Sequence, residues 1–100
     1  MRIAEPQCRR LTAILRQRFG QNARIWLFGS RVDDHRRGGD VDIYVEAEQV
    51  PAGGRVKAKL EAGTALESIF DDATVDLLVR FPGDLEQPMH RIAKQTGVPL

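Results

Sequence analysis

The chain has 100 residues, a length suited to one domain, and its 42% apolar and 29% charged residues match an ordinary soluble globular composition. Fifteen basic against fourteen acidic residues leave a net charge of +1, so no strong basic field advertises nucleic acid. A single cysteine, Cys8, excludes an internal disulfide, no Cys/His cluster suggests zinc, and no apolar run approaches the roughly 20 residues of a membrane helix. The amino terminus, MRIAEPQCRRLTAIL, has no continuous apolar stretch behind its basic start, which speaks against a secretory signal and for a reducing cytoplasm.

The first element reads as a helix. Pro6 suits its first turn; Cys8, Leu11, Leu15 and Phe19 recur at helical spacing with Ile14 alongside, and Gly20 ends it. The apolar run Ile25–Phe28 is short and stops at a glycine, as a buried strand does. Residues 31–39, RVDDHRRGG, form a polar loop ending in Gly38-Gly39. In DVDIYVE the alternation is clean: Val41, Ile43 and Val45 point one way, and Asp40, Asp42 and Tyr44 the other. After a linker over 47–54, a second helix is expected from about Arg55 to Phe70, with Val56, Leu60, Leu66 and Phe70 in one buried stripe and Gly63 allowing close approach. ATVDLLVRF is a third strand, and a short helix from about Leu85 to Lys94 closes the domain.

This order predicts an α+β sandwich, a small mixed β-sheet flanked by helices, as one domain over 1–100. Strands one and two pair antiparallel across the 31–39 loop. Strands two and three, joined through a helix, run parallel.

Asp40 and Asp42 project from one face, with Cα atoms roughly 6.5–7 Å apart, and at that spacing two carboxylates can converge on a hard cation such as magnesium. Without a cation they repel. The plain alternative is a wet face on an edge strand. Asp76, in TVDLLV, approaches the same place if its strand lies beside the second; there it could ligate the cation or take a proton from an attacking hydroxyl. Otherwise it is a solvated charge near a strand end. Gly29-Ser30, directly after the first strand, lets backbone N–H groups approach an anion closely, and Arg31, His35, Arg36 and Arg37 add positive charge, although for Arg36 and Arg37 individually a solvated loop is the stronger reading. Together these parts are the equipment of phosphoryl or nucleotidyl transfer.

The stretch LFGSRVDDHRRGGDVDIYV, followed by VDLLV, resembles the minimal nucleotidyltransferases of the DNA polymerase beta superfamily, whose pattern is Gly-Ser, a loop of about ten residues, Asp-x-Asp and a distant Asp on a strand. The resemblance runs over nearly the whole chain, and it implies the polymerase beta-like fold. It implies Gly29, Ser30 and Arg31 at the nucleotide phosphates, and Asp40, Asp42 and Asp76 as Mg2+ (or Mn2+) ligands, with Asp76 also the general base. The loop departs from the pattern, reading Arg-Arg-Gly-Gly where many relatives carry a serine before the first aspartate. Only some twenty residues follow the third strand, too few for the acceptor-gripping domain of larger relatives. In this the chain looks like the antitoxin half of two-gene modules, whose other product is an all-helical HEPN-type protein. The resemblance therefore implies transfer of adenylate from ATP to that partner. The alternative is a non-catalytic nucleotide-binding module that neutralises a helical partner by contact; a nucleic-acid end-modifying enzyme fits the charge poorly. Small sheets with open edges also favour homo-oligomers.

The remaining candidates read as structural: His90 as a surface or helix-capping residue, Lys57 and Lys59 as solvated helix lysines, Trp26 and Cys8 as packing. Tyr44 shares the face of the two aspartates and either lines the cleft or fills an edge strand.

Overall fold

The computed structural model describes residues 3–29, 40–70 and 73–100. Helix α1 spans Glu5–Phe19 and places Leu11, Leu15 and Phe19 in the core, while Cys8 is half-buried. Pro6 occupies its first turn, the Gln7 side chain accepts a hydrogen bond from the Ala4 amide (3.0 Å), and Arg16 and Arg18 lie at the end that favours cations. Gly20 stops it at φ 115°, where the Glu48 side chain would collide with any Cβ.

Strands β1 (Arg24–Phe28), β2 (Val41–Glu46) and β3 (Val75–Arg80), with the two-residue β4 (Val98–Pro99), form one mixed sheet in the order β3-β2-β1-β4. β1 runs antiparallel to β2 and β4, and β2 runs parallel to β3. Both pairings anticipated from the sequence are present. β4 was not anticipated: two residues, one a proline, carry no periodic signal, and the strand exists through its pairing with β1, extended by the Leu100 amide on the Ile25 carbonyl (2.9 Å).

The alternation of β2 divides the molecule. Val41, Ile43 and Val45 join Ile25, Leu27 and Leu77 against α1 and helix α2 (Arg55–Glu67). Trp26 and Tyr44 point to the opposite face, where Ala93 of helix α3 (Pro88–Thr96) covers them. The His90 ring stacks on Tyr44, which stacks on Trp26, with centroids 5.2 and 5.4 Å apart. Trp26 is therefore core, as its apolar surroundings suggest, and Tyr44 packs rather than lining a cleft. His90 caps its helix, accepting the Gln87 amide at Nδ1 (3.0 Å), but it is buried, not at the surface.

Helix α2 departs from its sequence pattern. It buries Ala58, Ala62 and Leu66, whereas Val56 and Leu60 are 74% and 66% exposed, and a Cβ on Gly63 would meet nothing within 4 Å. Small alanines let the helix lie close to α1, and that close fit outweighs the larger side chains half a turn away. The helix ends at Glu67; Ile69 and Phe70 enter the core from a tight turn bonded to the Leu66 and Glu67 carbonyls.

An ion-pair ring ties α3 to the sheet. Lys94 approaches Glu46 (3.1 Å) and Glu86 (2.8 Å), and Arg80 approaches the same two carboxylates (3.4 and 3.5 Å). The Tyr44 hydroxyl donates to Glu46 (2.9 Å). Burial pushes the Glu46 carboxyl up, but hydrogen bonds from Lys94 and Tyr44 and the charges of Lys94 and Arg24 outweigh it and hold it below its ordinary 4.5.

Leu66→Ala should cost about 2–5 kcal/mol in urea unfolding, while Leu60→Ala should stay within about 0.5 kcal/mol of the parent. The reverse order would place the other stripe of α2 in the core. For Glu46 the folded chain binds fewer protons than the unfolded one as pH falls through 4.5, so its contribution is present above that pH and lost below it. Glu46→Gln should therefore flatten the fall in stability between roughly pH 5 and pH 3, read from urea midpoints across a pH series.

Candidate active site

The parallel register puts Asp42 directly opposite Asp76, on strands about 4.8 Å apart. On the other side of β2, Asp42 faces Phe28, the last residue of β1. Gly29 follows at once with φ 75°, and a Cβ there would run into the Asp42 carboxylate, whose Cγ lies 3.0 Å away. Glycine is thus required at 29 twice over, by backbone conformation and by the closeness of the carboxylate. Ser30 and Arg31, with His35, Arg36 and Arg37, lie outside the described residues.

Asp40 stands two residues before Asp42, exposed at the start of β2. The Thr74 hydroxyl donates to its Oδ1 (2.6 Å). Thr74 precedes Asp76 by the same two residues, so the register that pairs the aspartates pairs these as well. Nothing in the sequence alone singles out Thr74, but once the register is known, its place across from Asp40 follows from counting.

Burial, then the negative charges of Asp76 and Asp40, then a hydrogen bond with Asp76 push the Asp42 carboxyl above its ordinary 3.8. Like charges held together in this way are unfavourable unless something positive joins them. The donor set is all oxygen, without sulfur or imidazole, and suits a hard divalent cation of the magnesium type. Among the described residues no three His, Cys, Asp or Glu side chains are already gathered as an ion cage, and Asp40 is engaged by Thr74. A cation would compete with that hydroxyl for Asp40. The residues present fit such an ion, with Asp42 and Asp76 as the assembled pair and Asp40 as the ligand to be recruited.

Both carboxylates of the pair open into a groove of about 780 Å³ between α2 and Met89 of α3. Lys59 reaches its wall and Lys57 does not.

Two consequences can be measured in thermal melts. Without metal, Asp42→Asn should melt a few degrees higher than the parent, since it removes one of the repelling charges. With magnesium added, the parent should rise and the variant should not. A parent unaffected by millimolar magnesium, or a variant stabilised equally, would mean that these carboxylates hold no cation.

A family model described as a nucleotidyltransferase domain matches residues 8–96, a span that contains Gly29 and all three aspartates. No curated protein matches the chain. No helix among the described residues is long and apolar enough to cross a membrane. With the mixed four-stranded sheet, its three helices and a family match across nearly the whole length, the chain belongs to the nucleotidyltransferase domain family.

Proposed function

We propose that this chain transfers AMP from ATP to a hydroxyl of a protein acceptor, and that the acceptor is an all-helical HEPN-type partner which it silences as an antitoxin. Nucleotidyl transfer in general follows from the family; the donor, acceptor and antitoxin role are our reading. The observation that carries the chemistry is the Asp42–Asp76 register pair beside Gly29.

Each residue has a definable task. Asp76, more exposed than Asp42, accepts the proton of the incoming hydroxyl. The acceptor oxygen then bonds to the α-phosphorus as the bond from that phosphorus to the bridging oxygen breaks, releasing pyrophosphate. Asp42, fixed between Phe28 and Asp76, holds the reacting groups in line. The tight Gly29 turn, with Ser30 and Arg31 after it, binds the outgoing phosphates through backbone amides and a guanidinium. A divalent cation held by Asp40, Asp42 and Asp76 would, when bound, neutralise the triphosphate and stabilise charge on the leaving group.

The engagement of Asp40 by Thr74 favours a second reading, in which the domain binds nucleotide and masks the partner by contact alone. Intact mass spectrometry after co-expression with the HEPN-type partner separates the two. Whole-nucleotide increments on the partner, lost in Asp42→Asn and reduced about 10²–10⁴-fold in rate in Asp76→Asn, support transfer. An unmodified partner in a stable complex supports masking. Transfer by Asp76→Asn at the parent rate would remove Asp76 as the base.

A further inference from the structure

Strand β3 is the outer strand of the sheet and pairs only with β2 among the described residues. The Val41 amide bonds to the Thr74 carbonyl and the Ala47 amide to the Arg80 carbonyl, both at 2.9 Å. These bonds turn the backbone of the even-numbered residues of β3 toward β2. Strand alternation then leaves the amide and carbonyl of Val75, Leu77 and Val79 on the open edge, and no described hydrogen bond outside the sheet engages them. This is an unfilled place for one more strand.

The groove that contains Asp42 and Asp76 wraps around this edge. Its walls come from both faces of β3: Leu77 with Val56 and Leu60 on the α2 side, and Leu78 with Met89 on the α3 side. Val56, Leu60 and Met89 are 74%, 66% and 54% exposed, which leaves apolar side chains open along both walls. An extended segment laid along β3 would send successive side chains alternately to these two walls. The groove also carries charge. Glu67, at the carboxyl end of α2, lies with Asp42 and Asp76 in the same lining, and Lys59 joins that lining eight residues or about 12 Å earlier on the helix.

We propose that the open edge of β3 is the docking site for the protein acceptor. An extended segment of the acceptor outside its helices binds there as an added strand with alternating apolar side chains, its hydroxyl residue at the Asp76 end and a basic residue beside it facing Glu67. This rests on the reading above that the acceptor is a protein. Once the strand is seated, its hydroxyl gives its proton to Asp76 and its oxygen replaces pyrophosphate on the nucleoside triphosphate. A second copy of the chain is a poorer occupant. It would offer Arg80 as the basic residue, already held by Glu46 and Glu86, and would cover Asp76.

The test uses the full chain and a short synthetic peptide that alternates valine with threonine around a central tyrosine-lysine pair. Amide exchange of Val75, Leu77 and Val79 should slow at least about tenfold with peptide, and Leu60→Glu, a change at an exposed position, should weaken peptide binding at least about tenfold. Unchanged exchange, or equal binding by Leu60→Glu, overturns the proposal. So does protection of the same amides by ATP and magnesium alone, which would give the groove to the nucleotide, or by raised protein concentration alone, which would give it to a second copy. Peptide mass after incubation with ATP and magnesium keeps the two readings apart. Protection without an adduct leaves docking standing and removes transfer, and an adduct without protection does the reverse.

Discussion

The register between β2 and β3 is the constraint on which the site depends. Along the face that α3 partly covers, the two strands meet in three successive pairs: Asp42 with Asp76, Tyr44 with Leu78, and Glu46 with Arg80. The first pair repels, the second packs and the third attracts. A slip of β3 by two residues would part Asp42 from Asp76, but it would also break the Glu46–Arg80 contact and take Leu78 from its place beside Tyr44. A slip of one would turn Leu77 out of the main core. Exposed ion pairs are individually weak, yet here Arg80 and Lys94 share the same two carboxylates, so register and the placement of α3 support each other. The attractive end of the face, with the core beneath, holds the repulsive end together.

That arrangement also explains the division of labour along β2. Asp42, Tyr44 and Glu46 occupy equivalent alternate positions on one strand, but their surroundings give them different fates. Tyr44 is fully buried, and burial, followed by its hydrogen bond to Glu46, drives its hydroxyl far above the ordinary phenol range. Glu46 is held charged by Lys94 against the opposing effect of burial. Of the two carboxylates only Asp42 is pushed up, by burial and by neighbours of its own sign. A carboxylate left in that condition where a sheet opens into a groove is the usual mark of a functional position rather than of stabilisation.

Much of this was legible in the sequence because strand periodicity is strict. Asp40, Asp42 and Tyr44 fall on one face from counting alone, and the parallel crossover brings Asp76 alongside. The helices were harder. In α2, Ala58 and Ala62 give a fainter hydrophobic signal than Val56 and Leu60, so the pattern favours the wrong stripe. What decides is how closely α2 can approach α1, a tertiary quantity with no local trace. The same holds for His90, whose burial depends on Tyr44 from a distant strand, and for Thr74, which has meaning only opposite Asp40. β4 is too short for any periodicity.

The two edges of the sheet are treated differently, and the difference joins fold to function. Beyond β1 the chain returns as β4, where a two-residue strand containing Pro99 offers a further partner little to pair with. Beyond β3, next to the aspartates, no such cover exists among the described residues, and α2 turns its larger apolar side chains toward that side instead of the core. The misread stripe of α2 and the open edge of β3 are therefore one feature seen from two directions. Burying Val56 and Leu60 would have required rotating α2 and losing the close alanine contact with α1; leaving them outside keeps the core tight and places an apolar wall beside the carboxylate pair. A fold concerned with stability alone has no reason to put exposed apolar side chains next to a pair of like charges. A fold built for nucleotidyl transfer, which must admit an acceptor as well as a nucleotide, does.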